Sequence, residues 1–292
     1  RVMQRRSLLA AMALIPVFQM AVPGAAIAAE KKVKVAATFD AMAEIAKAVG
    51  GNRVTVSTLI PPGVEPHEYS PRPGDMRGLA GADLVIKNGL GLEPWTEKAL
   101  KASGNGRAKI VVASQGVTPM KIGAAIDPHL WISPSGAILE AENIAKALEA
   151  ADPAGAAVYK KNLAAFASGI KAASDAFRKA AAGSKNRTFV TGHAAFGYLC
   201  RDFGLKQVSV ENVYAEGEPS ARQLAELVSF CRKNHVKTVF AEELASPAVS
   251  RTLARECGAK VVPIYTMESP EDKLSFTARM SQNLKHIAES FR

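Results

Sequence analysis

Five histidines occur in the chain, and three of them share a setting. His67 lies in Gly63-Val64-Glu65-Pro66-His67-Glu68-Tyr69, directly after a strand-like run. His129 lies in Asp127-Pro128-His129-Leu130-Trp131, a proline-stiffened loop ahead of a helix, and His193 in Thr191-Gly192-His193-Ala194 follows another strand-like run. A solitary loop histidine is usually just solvated. Proline beside two of these three fixes the backbone that carries them, which a solvated residue does not need. Three neutral imidazoles converging in a cleft would make a site for a borderline-soft divalent ion. His235, at a helix–strand junction, and His286, between Lys285 and Glu289 on a helix, read as exposed surface residues.

Those imidazoles need elements to carry them. Strand-like and helix-like segments alternate from Lys32 to Ala113: strands at Lys32–Thr38, Arg53–Ile60, Leu84–Asn88 and Lys109–Ala113, helices at Ala41–Val49, Pro73–Ala80 and Glu93–Ala102. A loop from Ser114 to Ser133 and a helix from Pro134 to Ala150 follow. The alternation restarts with strands at Arg187–Thr191, Gln207–Glu211, Thr238–Ala241 and Lys260–Ile264. Helices at Ala195–Phe203, Ser220–Asn234, Pro247–Cys257 and Glu271–Phe291 separate or follow them. Such alternation predicts an α/β fold with two lobes, each a mostly parallel sheet flanked by helices. Ligand sites in these sheets form outside the carboxyl ends of the strands, where all three histidines fall.

Between the halves lies Pro153–Gly183. Asp152 is expected to cap its start, Pro153 suits the first helical position, and Gly183 is a stop. Tyr159, Leu163, Phe166, Ile170, Ala173 and Phe177 recur at spacings of four and three, one narrow apolar stripe on a helix otherwise coated with charge. At 1.5 Å per residue it spans roughly 45 Å. The expectation is one long rigid helix joining the lobes. The division is then residues 29–150 for the N-terminal lobe, 151–184 for the linking helix and 185–292 for the C-terminal lobe.

Composition narrows the class. With 48% hydrophobic and 22% charged residues, the chain is ordinary for a globular protein, and its 292 residues allow a sizeable core. The formal charge of +10 is dispersed and not interleaved with aromatics, which argues against nucleic acid as a partner. Arg5 and Arg6, the apolar run Leu8–Val22 and the small-residue site Ala26-Ile27-Ala28 have the layout of an export signal over residues 1–28. No cysteine precedes Cys200, so the expectation is a freely soluble periplasmic protein without a lipid anchor. Cys200 is expected as a buried thiol, and Cys231 with Cys257 is the pair open to a disulfide in an exported chain. No Ser-His-Asp arrangement, Cys-His pair or glycine-rich phosphate loop stands out.

The segments around His67, His129 and His193 resemble the three signature loops of the zinc/manganese-type solute-binding proteins of ABC importers. Asp152-Pro153, Tyr159 and Asn162, and the late Asn283-Leu284, fit the same register, and the similarity runs from about Lys32 to Ser290. The resemblance implies a metal ion between two lobes, delivery to a membrane permease, and no enzymatic activity. A monomer is expected. It also implies that His67, His129 and His193 are ligands. The third is histidine where manganese-leaning members tend to have a carboxylate, which favours Zn²⁺, with Mn²⁺ or Fe²⁺ as alternatives.

The family usually supplies an aspartate from the loop after the last strand. This chain reads Ile264-Tyr265-Thr266-Met267-Glu268-Ser269, so Met267 or Glu268 takes that place. Glu268 is the expected fourth ligand, because a carboxylate completes a His₃ zinc site better than a thioether. Glu242 matches a recurrent family glutamate and serves either as ligand or as orienter of an imidazole. The long His-rich insertion of many zinc-specific members is absent from Ser114–Ile126, which leaves metal capture to the cleft. The rival class is a zinc hydrolase or lyase, whose metal would keep an open fourth position. A rigid strut allows only small lobe movements, so ion release is expected to need the permease to pull a loop away.

Overall fold

A computed structural model describes residues 32–209, 220–244 and 247–292. The export signal read at residues 1–28 lies outside them, as do residues 210 and 211 of the strand expected at 207–211. Strand β1 (Val33–Ala37) leads to helix α1 (Asp40–Gly50), then to β2 (Val54–Thr58), α2 (Met76–Ala80), β3 (Leu84–Lys87), α3 (Thr96–Ala102) and β4 (Lys109–Val112). These four strands form one parallel sheet in the order β2-β1-β3-β4, with Val33 beside Val54, Val35 beside Leu84, and Leu84 beside Lys109. Residues 114–133, expected as plain loop, contain a two-residue antiparallel hairpin of β5 (Lys121–Ile122) and β6 (Ala125–Ile126) and a 3₁₀ turn at Leu130–Ile132. Two-residue strands are too short to leave a periodic signal.

Two helices follow: α4 (Pro134–Ala151) and α5 (Ala156–Ala180). The second half then runs β7 (Thr188–Thr191), α6 (Gly197–Phe203), β8 (Lys206–Ser209), α7 (Ala221–Lys233), β9 (Thr238–Ala241), α8 (Pro247–Cys257), β10 (Lys260–Pro263) and α9 (Phe276–Glu289). Its sheet is also parallel, in the order β10-β9-β7-β8. Counted within each half, both sheets place the first strand between the second and third. The chain direction therefore switches sides there, leaving a crevice at the carboxyl ends of the strands.

Helix α5 is the expected strut. It packs against α1 and α4 from the first half and α9 from the second. Tyr159, Phe166, Ile170, Ala173 and Phe177 are buried along it, and Leu163 packs against the same core. Phe166 meets Phe276 at 5.6 Å between ring centres, and Phe177 meets Phe203 at 4.5 Å. One apolar cluster thus runs from Val35 and Ile45 through the strut to Phe189 and Ile287.

The start of this helix differs from expectation. Asp152 does not cap it: Arg53 Nε and Nη2 donate to its two carboxylate oxygens at 2.7 and 3.0 Å, and Tyr159 Oη donates at 2.7 Å. Residues Pro153–Gly155 form a 3₁₀ turn, and a Cβ on Gly155 would stand 2.5 Å from Arg53 Nε and 2.7 Å from the Tyr159 ring. Only glycine fits. The Arg53 and Tyr159 bonds lower the Asp152 carboxyl from its ordinary 3.8 to about 2. A lowered carboxyl contributes stability above its unfolded value and loses it as pH falls through about 2. After discounting for solvent screening, Asp152→Asn should cost about 1 kcal/mol at pH 7. Urea titration should show that difference shrinking towards pH 2.

Other helices also begin later than expected, among them α3 and α9. Helix α3 begins at Thr96 and not Glu93, because the buried Glu93 carboxylate is occupied: Thr38 Oγ1, Asn88 N and Gly89 N donate to it at 2.7, 2.8 and 3.0 Å. Helix α9 begins at Phe276, capped by Ser275, whose Oγ accepts from Ala278 N at 3.2 Å. His235 is exposed as expected, but His286 is half-buried, its Nδ1 donating to Pro263 O at 2.9 Å. All three cysteines are free thiols, with Cys231 buried and Cys200 and Cys257 half-buried. Cys231 and Cys257 share the small core between α7 and α8, where burial and the neighbouring thiol push Cys231 up to about 12.

Candidate metal centre

Each histidine is aimed by groups near it in sequence or brought in by the fold. Glu65 caps a single 3₁₀ turn at Pro66–Glu68, its Oε1 accepting from His67 N at 3.2 Å, and the His67 ring is only 2% exposed. Asp127 holds His129 twice: Oδ1 accepts from His129 N at 3.0 Å and from Nδ1 at 2.9 Å. A carboxylate can only accept, so Nδ1 carries hydrogen and Nε2 is the nitrogen left to face an ion. Glu242, following β9, does the same for His193 after the neighbouring β7. Its Oε1 accepts from Gly192 N at 2.9 Å, and its Oε2 lies 2.5 Å from Nδ1.

Trp131 joins the lobes. Its ring lies 5.2 Å from that of His129, and its Nε1 donates to Thr266 O at 2.7 Å. Gly63 N donates to Ser269 Oγ at 2.8 Å, a second tie between the His67 loop and the loop after β10. In that loop Met267 takes φ of 61°, uncommon for a non-glycine residue, and turns its side chain into the core. Glu268 then faces the histidines, with Thr266 Oγ1 donating to its Oε2 at 2.9 Å.

His67, His129, His193 and Glu268 are thereby brought together, one donor atom from each lying within 4.8 Å of the rest. His129 Nε2 is 3.0 Å from His67 Nε2 and 3.3 Å from His193 Nε2, and Glu268 Oε1 is 3.6 Å from both His67 and His129 Nε2. Tetrahedral zinc with bonds of about 2.05 Å sets its ligand atoms about 3.3 Å apart, and these four separations lie near that value. Glu268 lies beside the imidazoles, on ground that a catalytic zinc would need open. Met267 and Glu242 lie elsewhere: one in the core, the other behind His193.

The charges are arranged for a cation. Burial opposes ionisation of Glu268, but the His129 and His67 contacts outweigh it and hold the carboxyl well below its usual range. Burial lowers His67. It also works against His193, yet Glu242 overrides it and lifts that imidazole to about 10, and Asp127 with Glu268 raises His129 in the same way. At the rim, burial and the Glu268 charge push Glu65 to about 8, with Oε1 3.9 Å from His67 Nε2.

Asp127, Glu243 and Glu65 were not singled out from the sequence. Asp127 was readable, since an aspartate two residues before a histidine can bond both its amide and its ring. Glu243 was not: it accepts from Thr266 N at 2.8 Å and Glu268 N at 3.2 Å, more than twenty residues along the chain. Because Glu242 fixes the His193 tautomer, Glu242→Gln should weaken metal binding about 10–100-fold by chelator competition, without removing a donor.

This fold and site define a metal-type solute-binding protein of an ABC importer, not an enzyme. Residues 35–290 match the family model of the periplasmic zinc-uptake complex component A, ZnuA, and the chain belongs to that family. A protein of Treponema pallidum is 38% identical over 305 residues, covering 98% of this chain and 96% of its own. The high-affinity zinc uptake system protein ZnuA of Bacillus subtilis is 34% identical, covering 91% and 90%. Among solved structures, the crystal structure of ZnuA matches with TM-score 0.81 and 29% identity, covering 90% of this chain and 100% of its own. The Zn(II)-bound ZnuA-like domain of Streptococcus pneumoniae AdcA matches with TM-score 0.77 and 32% identity, covering 89% and 98%.

Proposed function

We propose that this protein binds one Zn²⁺ per chain through His67, His129, His193 and Glu268, and carries it outside the cytoplasm to the permease of an ABC importer. It works as a monomer, with lobes at 29–150 and 185–292 on either side of the linking helix 151–184. The observation that carries this reading is the four-donor cluster: three nitrogens and one oxygen all within 4.8 Å of one another, with His129 and Glu268 at 3.0–3.6 Å from their neighbours in it. Zinc is preferred over Mn²⁺, which favours more oxygen ligands. A specific observation favours Fe²⁺ as the second reading: the iron-binding protein YfeA of Yersinia pestis is 34% identical over 246 residues, covering 82% of this chain and 78% of its own.

The test is metal content and competition on metal-stripped protein, wild type beside Glu268→Ala. One equivalent of zinc, held more weakly by the variant, supports the reading. Stoichiometric binding of Fe²⁺ or Mn²⁺ in preference to zinc changes the ion and keeps the role. No stoichiometric binding of any of the three sinks it.

A further inference from the structure

Outside the metal cluster, Arg279 and Asp40 are among the most deeply buried charges in the described residues. Arg279 Nη1 donates to Asp40 Oδ2 at 2.8 Å, with side chains 3% and 7% exposed, across 239 residues of sequence. Asp40 opens α1, immediately beyond the carboxyl end of β1. The same guanidinium donates to Asp272 twice, from Nε to Oδ1 at 3.1 Å and from Nη2 to the carbonyl oxygen at 3.3 Å, and lies 5.8 Å from the centre of the Tyr265 ring.

Arg279 belongs to a row. Asn283, one turn on, accepts from Tyr265 N at 2.8 Å and donates to Tyr265 O at 2.7 Å, and His286, a further turn on, bonds Pro263 O. Residues 279, 283 and 286 share one face of α9. That face grips the chain on both sides of Glu268, at Pro263 and Tyr265 before it and at Asp272 after it. Of the three, Arg279 also bonds a residue of the first lobe, Asp40.

Burying a guanidinium is costly, and apolar residues of similar size often give equal stability, so such a pair is better explained by the geometry it specifies. Here that geometry is the position of the Glu268 loop against the lobe bearing His67 and His129. We propose that Arg279 is a positioning residue for the ion: its contact with Asp40 latches the loop, and opening the latch withdraws Glu268 and speeds ion release. This rests on the zinc-binding reading above.

The experiment measures zinc dissociation into an excess chelator by stopped flow. It uses wild type, Arg279→Gln, Asp40→Asn and Arg279→Lys, each with and without Glu268→Ala. With Glu268 present, Arg279→Gln and Asp40→Asn should each speed dissociation about 10–100-fold, as removal of an outer contact does at other metal sites. Arg279→Lys keeps the charge without the fork and should restore part of the loss. Without Glu268, Arg279→Gln and Asp40→Asn should change the rate less than threefold, because the group they position is gone. Equal acceleration in both backgrounds, or none in either, overturns the latch while leaving zinc binding intact. If Arg279→Gln fails to fold by circular dichroism, Asp40→Asn decides alone. A wild-type protein that binds no zinc overturns both readings.

Discussion

Replacing His129 by alanine should weaken zinc binding by about 10²–10³-fold, the largest single effect in the molecule. Structural zinc sites are worth about 10–16 kcal/mol, so one ligand of four accounts for about 2.5–4 kcal/mol, which is that fold-change. His129 is the central donor: its Nε2 is the one near both other imidazoles, at 3.0 and 3.3 Å. Its loss also leaves the buried Asp127 Oδ1 without its ring partner and leaves space beside Trp131. The exposed His235 is the control, and His235→Ala should leave affinity unchanged. Chelator competition reads both. An affinity within threefold of wild type for His129→Ala would remove this residue from the site.

Zinc affinity should fall at least about 100-fold between pH 8 and pH 6. The sign follows from His193. Its pKa in the folded protein is raised from 6.5 to about 10, Glu242 outweighing the effect of burial. Across that range the metal-free protein holds a proton there, and the ion must displace it. Each unit of acidification then costs tenfold per displaced proton. His129, raised by Asp127 and Glu268 against the effect of burial, adds to the slope, whereas His67, lowered by burial, adds less. In the metal-free protein the same shift stabilises the fold fully below 6.5 and is lost as pH rises through about 10. Calorimetry in two buffers of different protonation enthalpy should count one to two protons released per ion. A flat affinity profile from pH 8 to 6 would contradict the protonated state assigned to His193.

The residues differ in how far their roles can be read from the chain. His67, His129 and His193 sit after strands or beside prolines, and local context was enough to gather them. The stripe on α5 was equally plain, because apolar residues at helical period from Tyr159 to Phe177, with charge between them, require one buried helix face. Asp152 was misassigned for a physical reason. An aspartate before Pro153 has the local form of a helix cap, but the Arg53 fork, 99 residues earlier in the chain, competes for the same oxygens and holds them. Glu93 was drawn out of its helix in the same way, by backbone amides at the end of β3.

Local chemistry in the chain specifies the alternating strands and helices, the two lobes, the long strut and the three histidines that the fold gathers. Periodicity, turn residues and short loops act within a few residues, so a linear reading recovers them. Met267 and Glu268 are told apart only in three dimensions, since a one-residue shift exchanges them: Met267, at positive φ, lies in the core and Glu268 lies beside the histidines. The fold also places Glu242 behind His193, and brings Arg279 on the last helix to Asp40 on the first. Those contacts join charges 49 and 239 residues apart. No local pattern encodes such pairings, because only closing both sheets around one crevice brings the partners into range.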